Sequence, residues 1–553
     1  MKKILVSLVI SVSLLSSSFA FADLTEQQRI DDAVTLVSLY EHSYAPMPWK
    51  KKLWKLDHDA MANQLMADAA SAKNDLEFYD AIAGYLRNFH DAHVSWGIPS
   101  SLVASLPFDA DYFNGEVLIY NINREELPKE KFPFEIGDRI IAVDGKPVDQ
   151  HLQKLIRYCD TGSKLTNLRK AARYLTFMAQ WRFPFIPTES TFTIERASDK
   201  TQQSVLLSWK REGSSLVPFV DRKNKAAKLA KMSLSRPLKK NPLEPHIQQG
   251  PQLDEKSGKS RIYTYAPFFP LWDTFVERKR EQLISGVINL HGHKIGFIRI
   301  PSWSYEDEVA VLNFFKEEIP YLNDNTEALI IDQTNNPGGH ICLAEQVLSH
   351  FTQKPISALM TQIKPTRAWF VEYENEFSTL EDPQEQQLAE VNFLRPIREA
   401  LADGRDLSDP IPICGNLDGL IHPQNDPAQI YHKPTLLLID EFSCSTGDMF
   451  PSMGQDGGVF SKIFGHRSVG CGGNVVGVQY LGHSDVTVRV TQSLAVRQKP
   501  VRLTDGTDTY YIENIGVQPD IAYTVGGDDF RDNFSKYRAA IDQAVLSLIE
   551  EKK

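Results

Sequence analysis

Two serines in one short segment have the clearest chemical potential in this sequence. Residues 436–450 read LLLIDEFSCSTGDMF, which predicts a buried strand, a short polar turn and a helix that begins near Thr446. A serine at such a turn has its Oγ lifted off the strand end, and backbone N–H groups at a helix N-terminus can stabilise an oxyanion. Ser445 is therefore a candidate nucleophile. The alternative is that Ser443, Ser445 and Thr446 only cap the helix, the commonest role of these residue types.

The elements around this turn alternate between strands and helices. Such alternation predicts a layered α/β core with a largely parallel central sheet. Residues 23–100 are predicted to be mainly helical and residues 112–210 mainly β-structure. The strands of the core are predicted at 295–300, 328–331, 435–439 and 486–492, and its helices at 307–322, 340–351 and 446–455.

Composition narrows the possible classes of protein. Hydrophobic residues make up 42% of the chain and charged residues 24%, as in an ordinary globular protein. A formal net charge of -11 argues against a nucleic-acid or anionic-membrane partner. The five cysteines are widely spaced and include no CxxC pair, so neither a disulfide scaffold, a metal site nor a cofactor is predicted.

The first 22 residues are typical of a signal peptide. Lys2 and Lys3 precede an apolar run at 4–15, and Ala20 and Ala22 form a small-x-small cleavage site. The run is too short to span a bilayer, and the cleavage site that follows at once disfavours the alternative of a retained anchor. We therefore expect an exported protein, periplasmic or secreted, without stable membrane insertion.

Residues 136–148 read IGDRIIAVDGKPV. Asp144-Gly145 between two apolar runs predicts a β-hairpin. The phrase resembles one found in the PDZ domains of bacterial proteases, whose exposed sheet edge captures an extended peptide by strand addition. An unrelated hairpin is the alternative.

A basic segment follows this region. Eight Lys or Arg residues lie between Arg222 and Lys240 with no acid among them, and prolines punctuate the polar stretch that follows. Such composition predicts a linker or exposed loop. It is either a solvated tether or a segment that is cleaved.

Three further segments resemble the motifs of tail-specific (C-terminal-processing) serine proteases. The similar stretches, in family order, are KIGFIRIPS at 294–302, IIDQTNNPGG at 330–339 and SCSTGDMF at 443–450. With the PDZ-like phrase, the resemblance covers most of residues 80–525. It implies a serine endopeptidase that acts on protein or peptide substrates, and an α/β fold with a crotonase-like core.

The resemblance also assigns site residues. Ser445 occupies the place of the nucleophile, with Cys444 where the family usually has Ala. Gly338 or Gly339 would pair its N–H with that of Thr446 in an oxyanion hole. A departure lies upstream, where Thr334 replaces the family arginine and leaves that residue's supporting contacts in doubt.

The general base is the second departure from the family. The bacterial branch uses a lysine in a phrase that corresponds here to residues 465–474, and the alignment places Gly470 or Cys471 at its position. Lys462 lies too early in this alignment. The missing lysine supports an alternative function, a catalytically inactive PDZ-bearing binding or scaffold protein.

Another branch supplies a different base. Residues 86–95, LRNFHDAHVS, resemble the segment in which tricorn-like proteases and the chlamydial protease-like activity factor carry a base histidine, here His93. The supporting acid would be Glu513, just before a GVQPD turn, with Asp520 as a nearby competitor. Histidine titrates near neutrality, so it can accept the serine proton and return it to the leaving amine. A metal pair formed by His90 and His93 is the weaker alternative.

The chlamydial branch has further implications. Its members mature by self-cleavage, work as homodimers and act on host proteins after secretion, so the resemblance implies a zymogen with a role in virulence. The predicted organisation is a signal peptide at 1–22, an N-terminal helical region that carries the base histidine at 23–110, a PDZ-like domain at 111–220, a basic linker at 221–262 and an α/β protease core at 263–553.

Overall fold

The computed structural model of this protein describes residues 23–216, 270–414 and 416–552. They form a mixed α/β structure, which confirms the predicted fold class at this level. The predicted signal peptide, residues 1–22, and the predicted basic linker, residues 221–262, lie outside the described residues.

The N-terminal region is helical up to Arg87, and short strands follow from Ser95 onward, within the range predicted as helical. Thr25 and Gln28 form a capping box that sets the start of the first helix. The strand Ser95–Gly97 pairs antiparallel with Thr487–Thr491, which attaches this region to a distant part of the chain. The helices are Glu26–Ser43, Met47–Trp54, His58–Ser71 and Asp75–Arg87.

The predicted hairpin lies in a mainly β region. Asp144 and Gly145 both have positive φ, 50° and 72°, and join the antiparallel strands Arg139–Val143 and Lys146–Pro147. Arg139–Val143 is the central strand of a sheet whose other long strands are Phe108–Phe113, Glu116–Ile122, Glu189–Glu195 and Gln202–Ser208. The same region contains two helices, Val148–Ile156 and Lys164–Arg173. It also contains a small three-stranded sheet of Val103–Ser105, Phe177–Ala179 and Lys210–Glu212.

A seven-stranded sheet forms the core that carries the nucleophile segment. Its first three strands form antiparallel pairs. The strands from His293–Arg299 onward are parallel to one another, as the alternating pattern predicts. The strand order is Phe275–Arg280, Ile284–Leu290, His293–Arg299, Ala328–Asp332, Thr435–Ile439, Lys462–Gly465 and Ile521–Ala522.

Both faces of this sheet are covered, which is why its central strands are apolar throughout. Leu437 and Ile439 point to one face, where they join a core cluster with the helices Glu308–Asn325, Ile341–Leu348 and Thr446–Gly457. Leu436 and Leu438 point to the other face, against the C-terminal helix Ser535–Lys552. The strand that leads to Ser445 is therefore held rigidly on both sides.

The polar insertion at 352–430 contains a small apolar cluster in addition to its contacts with the core. Trp369 and Phe370 pack against a small cluster with Phe393 and Ile397. Among the described residues, the insertion contributes none to the lining of the cavity beside Ser445. Its helices are Arg367–Phe377, Pro383–Ala389, the π-helix Glu390–Leu394 and Arg395–Ala402, with a 3₁₀ turn at Pro427–Gln429.

Small antiparallel sheets complete the C-terminal half. Ser493–Arg502 pairs with both Met360–Ile363 and Asp508–Tyr511, and Val475–Tyr480 pairs with Thr487–Thr491. The remaining elements are the strands Ile356–Ser357, Ile411–Pro412 and Leu420–Ile421 and the helix Gly527–Arg531. Across the described ranges, no helix has the length and apolar character needed to cross a membrane.

Candidate active site

Ser445 lies where the nucleophile was predicted, between the strand Thr435–Ile439 and the helix Thr446–Gly457. It is the N-cap residue of that helix, with φ 57° and ψ -121°. Positive φ is strained for a residue with a Cβ and typically costs about 1–3 kcal/mol. Its side chain makes no capping hydrogen bond and lines a cavity instead, so helix capping does not account for this residue.

Ser443 has a structural role. Its hydroxyl is fully buried and lies 3.3 Å from the Gln333 carbonyl oxygen, to which it donates. The Asp440 carboxylate accepts from the N–H groups of Phe442 and Ser443, which closes the turn. The two serines of the segment therefore have separate roles, and only Ser445 reaches the cavity.

A glycine turn packs directly against the nucleophile turn. A Cβ on Gly338 would lie 2.7 Å from the Ser445 Cβ and 2.9 Å from the Thr446 nitrogen, and its φ is 98°. Hydrogen bonds also join the turns: Cys444 N–H donates to the Asn336 carbonyl at 3.0 Å, and Thr446 Oγ1–H donates to the Gly339 carbonyl at 2.7 Å. Only glycine permits this approach.

The predicted oxyanion donors differ in availability. The Gly338 N–H already donates to Asn336 Oδ1 at 2.9 Å. Among the described residues, the N–H groups of Gly339 and Thr446 have no intramolecular acceptor. Thr446 opens a helix, where the dipole and unsatisfied N–H groups favour negative charge. The geometry therefore favours Gly339 over Gly338 as the partner of Thr446.

His93 lines the same cavity as Ser445. Its backbone N–H donates to Asp91 Oδ1 at 2.8 Å, which fixes the segment, and its ring Nδ1 is buried with no partner in the described structure. Burial lowers the pKa of His93, while Asp91 acts in the opposite direction. The imidazole is therefore neutral at physiological pH, the state that a general base requires.

Asp91 is a buried neighbour of His93 that sequence reasoning did not assign to the site. Its second oxygen accepts hydrogen bonds from Tyr44 and Thr491, both at 2.9 Å. Burial acts to raise the pKa of Asp91, but the charges of Lys50 and His93 and the surrounding hydrogen bonds lower it. Asp91 is therefore a fixed negative charge beside the imidazole.

Glu513, the predicted supporting acid, is fully buried in the same cluster. One ring nitrogen of His93 and one carboxylate oxygen of each of Asp91 and Glu513 lie within 4.8 Å of one another. Glu513 Oε2 accepts the Gly472 N–H at 2.8 Å. Burial raises the pKa of Glu513 to about 7, with Asp91 adding to the rise.

Lys50 is the second residue of this cluster that the sequence did not reveal. Its Nζ is buried and lies 2.5 Å from Glu513 Oε1, 2.6 Å from Asn514 Oδ1 and 3.0 Å from the His90 carbonyl. The ammonium lowers the pKa of Glu513 against the effect of burial. No sequence motif marks Lys50, because its partner is 463 residues away.

The competing residues have other contacts. Asp520 Oδ2 accepts the Ile463 N–H at 2.7 Å, within the core sheet. Lys462 begins the strand Lys462–Gly465 and is absent from the described lining of the cavity. At the place of the missing family arginine, Thr334 Oγ1 accepts from Arg299 Nη1 at 3.2 Å, so a guanidinium reaches this position from the neighbouring strand.

A disulfide connects the nucleophile turn to residues 465–474, the segment in which the family lysine is missing. Cys444, next to the nucleophile, is bonded to Cys471, and Cys342 is bonded to Cys414, while Cys159 is free and buried. Burial raises the pKa of Asp448 to about 6, and its carboxylate accepts the N–H groups of Gly470 and Cys471, both at 2.8 Å. The spacing of the five cysteines along the chain does not determine these two pairings.

Two sets of described side chains have ligand atoms close enough to one another to hold a metal ion, and the cluster around His93 is the first. The second such set includes Cys444 and Cys471, which are bonded to each other. In the first set the Lys50 ammonium already supplies a positive charge to Glu513. The arrangement is that of a buried acid–imidazole system, and His90 is directed elsewhere, to Asp160 at 2.9 Å.

Ser445, His93 and the two glycines line one cavity of about 620 Å³. A serine and a neutral imidazole that line one cavity, with buried carboxylates close to the imidazole and N–H groups without an acceptor at the serine turn, can carry out acyl transfer. The structure thus places Ser445, His93 and Gly339 in the lining of one cavity, while Glu513 lies close to His93 and outside the described lining.

Comparison with known families agrees with this chemistry. Residues 294–523 match the model of Peptidase family S41, and residues 102–217 match that of a PDZ domain. These matches confirm the predicted resemblance to tail-specific serine proteases and the presence of a PDZ domain.

Individual relatives cover nearly the whole chain. A protein of Chlamydia trachomatis serovar D is 27% identical over 95% of this chain and 93% of its own, and one of Chlamydia muridarum is 26% identical over 99% and 97%. Among solved structures, mature CPAF complexed with lactacystin has a TM-score of 0.75 at 24% identity and covers 95% of this chain and 99% of that chain. A second crystal structure of mature CPAF gives the same score and identity, so the fold is shared along the chain.

Proposed function

We propose that this chain, whose residues 294–523 match the model of Peptidase family S41, is an exported serine endopeptidase with Ser445 as its nucleophile. The observation that carries the proposal is the strained Ser445, which lines one cavity with His93 and abuts the glycine turn. The fold that we propose for residues 263–553 is a crotonase-like core, consistent with its parallel strands and flanking helices.

In the proposed reaction, His93 removes the proton of Ser445 as the oxygen attacks the peptide carbonyl. The N–H groups of Gly339 and Thr446 stabilise the resulting oxyanion. His93 then gives the proton to the leaving amine, and an acyl-enzyme remains until water attacks it by the same route in reverse. Glu513 orients the imidazole and stabilises its charged form.

A fluorophosphonate probe tests this proposal directly, because it reacts with activated serines. We expect the wild-type protein to be labelled on Ser445, as read by peptide mass spectrometry, and Ser445→Ala to remain unlabelled. Ser443→Ala is the matched control and should still be labelled. A wild-type protein that resists the probe and cleaves no protein substrate would support instead the inactive PDZ-bearing scaffold.

We also propose that the chain is a self-processed zymogen. The composition of residues 221–262, basic and rich in proline, is typical of readily cleaved segments. Purified wild type should convert to two associated fragments with breaks inside this range, and Ser445→Ala should stay one chain. N-terminal sequencing checks this, and a Ser445→Ala chain cut at the same bonds would contradict it.

Two further parts of the proposal concern where the enzyme acts and its oligomeric state. The sequence of residues 1–22 supports export to the periplasm or beyond, and the likeness to chlamydial proteins supports host proteins as substrates of a homodimer. Cell fractionation and analytical ultracentrifugation test these points separately from the chemistry. A monomer that is fully active would remove the homodimer from the proposal.

A further inference from the structure

The disulfide between Cys444 and Cys471 joins the two halves of the candidate active site. Cys444 immediately precedes Ser445 in the nucleophile turn. Cys471 immediately precedes Gly472, whose N–H donates to Glu513 Oε2 at 2.8 Å. One covalent bond therefore connects the residue before the nucleophile to the residue before a donor that holds the supporting acid.

Both ends of this bond lie in closely packed backbone. A Cβ on Gly338 would lie 2.6 Å from the Cys444 carbonyl oxygen, and one on Gly472 would lie 2.3 Å from the Glu513 nitrogen. Sulfur atoms that share a bond lie about 2 Å apart, and they must separate when the bond is broken. Because packed backbone leaves little space to absorb this separation, it is transmitted to the Ser445 turn, the Glu513 segment or both.

Hydrogen bonds also join the two segments, and they would remain after reduction. The Asp448 carboxylate accepts the N–H groups of Gly470 and Cys471, both at 2.8 Å. Val469 N–H donates to the Ser443 carbonyl at 2.9 Å. Hydrogen-bond lengths in proteins vary over about 0.5 Å, whereas the length of an S–S bond hardly varies. Reduction should therefore leave the fold in place and loosen the geometry of the site.

The two half-cystines differ in their access to small molecules. Cys444 lines the cavity of about 620 Å³ beside Ser445, whereas Cys471 is fully buried and is not among the described lining residues. Thiol–disulfide exchange begins with attack of a thiolate on one sulfur, while the other sulfur leaves. A small thiol that enters the cavity therefore reaches the disulfide at Cys444.

We propose that the disulfide between Cys444 and Cys471 is a redox switch of the catalytic site, with the disulfide form active and the dithiol form about tenfold slower. The proposal rests on the proposed function, since it concerns the turnover that Ser445 and Glu513 support. Cytosolic thiol systems keep cysteines reduced, and exported compartments permit disulfides. The switch would therefore hold the chain at low activity until it is exported.

The reducing step is a two-electron exchange with a small dithiol. A thiolate of the dithiol attacks Cys444 Sγ, the S–S bond breaks, and Cys471 leaves as a thiolate that takes up a proton. The second thiol of the reagent then attacks the mixed disulfide, which releases Cys444 as a thiol and leaves the reagent as a cyclic disulfide. The protein gains two electrons and two protons, and the reagent loses the same number.

A redox titration of the purified protein tests the proposal. The protein is equilibrated in mixtures of reduced and oxidised dithiothreitol, and each sample is divided between two measurements. One is the rate of fluorophosphonate labelling of Ser445, together with peptide hydrolysis. The other is alkylation of each cysteine in unfolded aliquots, read by peptide mass spectrometry. We expect the labelling rate to fall about tenfold along the same curve as the reduction of Cys471, and to recover when the reductant is removed.

Two paired variants separate this disulfide from the other one. Cys342→Ser/Cys414→Ser retains the proposed switch and should respond to the reagent as the wild type does. Cys444→Ser/Cys471→Ser should be labelled at the slow rate in every mixture. If this second pair fails to fold, the wild type and the first pair still decide, because alkylation assigns the change in rate to one disulfide.

An equal labelling rate at both ends of the titration would overturn the proposal and leave the peptidase function intact. So would a rate that follows the reduction of Cys342 rather than Cys471, or one that falls only as circular dichroism shows the protein unfolding. Absence of labelling and of hydrolysis in every mixture would remove the proposed function, and the switch with it.

Discussion

The two sides of the cleft are built in different ways. On the nucleophile side, Ser445, the glycine turn and Thr446 are joined by backbone hydrogen bonds between two short segments. On the base side, the cluster of Lys50, Asp91, His93 and Glu513 consists of charged or titratable groups from three distant segments. The nucleophile side is thus held by hydrogen bonds of backbone groups, including those that the Asp440 carboxylate accepts, and the base side by buried charges that balance one another.

This difference indicates how each side should respond to change. The side chains of Ser445, Thr446 and the glycine turn do not titrate near neutral pH, so variants at these positions should alter turnover without altering its pH dependence. Buried charges are costly when a partner is removed, so variants of the base side should alter turnover, pH dependence and stability together.

The largest effect is expected for Ser445→Ala. Loss of a nucleophile in a serine protease typically lowers turnover on the order of a million-fold. The fold should survive, since little volume is lost and alanine, like serine, has a Cβ, so the strain of the positive φ is similar. Peptide hydrolysis and circular dichroism measure the two effects. Ser443→Ala should be far milder in turnover, and the opposite ranking of the two serines would break the assignment.

His93→Ala should match Ser445→Ala in severity, because members of a triad act as a unit. The wild-type rate should rise with pH, because activity requires a neutral His93 imidazole and an ionised Glu513 carboxylate. Lys462→Ala is the control and should keep a rate close to wild type, since Lys462 lies outside the described cavity lining. A fully active His93→Ala enzyme with a dead Lys462→Ala variant would overturn the base assignment.

Glu513→Gln should leave more activity than either of those changes. Replacing a triad acid by its amide typically costs roughly ten-thousandfold in turnover. The amide cannot stabilise the imidazolium, and it leaves the Lys50 ammonium without its carboxylate. The pH profile of kcat/KM is the readout, and it should lose the contribution of the Glu513 titration. A profile identical to wild type would remove Glu513 from the site.

Lys50→Met should lower kcat/KM by roughly a hundredfold near neutral pH, as expected when a catalytic group is misplaced. Burial raises the pKa of Glu513 to about 7 and Lys50 opposes this rise, so loss of the ammonium moves the pKa upward. The active form requires ionised Glu513. The acid limb of the profile should therefore shift to higher pH, and the loss should be greater at low pH than at high pH.

A double variant separates this role from a purely structural one. In the Glu513→Gln background, Lys50→Met should add little further loss, because the charge on which it acts is gone. Independent, multiplying effects of the two changes would show that Lys50 does not act through Glu513.

The smallest effect on turnover is expected for the disulfide beside the nucleophile. Removing Cys444–Cys471 with a Cys444→Ser/Cys471→Ser pair should destabilise the protein by about 3 kcal/mol in urea unfolding and lower kcat roughly tenfold. The matched pair Cys342→Ser/Cys414→Ser removes the other disulfide and should affect stability alone. Equal turnover in both pairs would mean that the first disulfide does not position the nucleophile turn.

Local sequence was sufficient for the nucleophile side. The strand Thr435–Ile439, the turn and the start of the helix at Thr446 follow from contiguous apolar and polar runs, and the structure has these elements at the predicted positions. The hairpin at Asp144-Gly145 was equally predictable, because its two positive φ angles are a property of those residue types. Such features depend on neighbours along the chain.

The base side was decided only by the tertiary structure. A motif identified His93 and Glu513, but nothing in the sequence marked Lys50 or Asp91, since a buried charge acquires its role from partners hundreds of residues away. The pairing of Cys444 with Cys471 and the hydrogen bond from Gly472 to Glu513 have the same origin. Periodicity and turn chemistry specify local conformation, whereas the balance of buried charge exists only once distant segments are packed together.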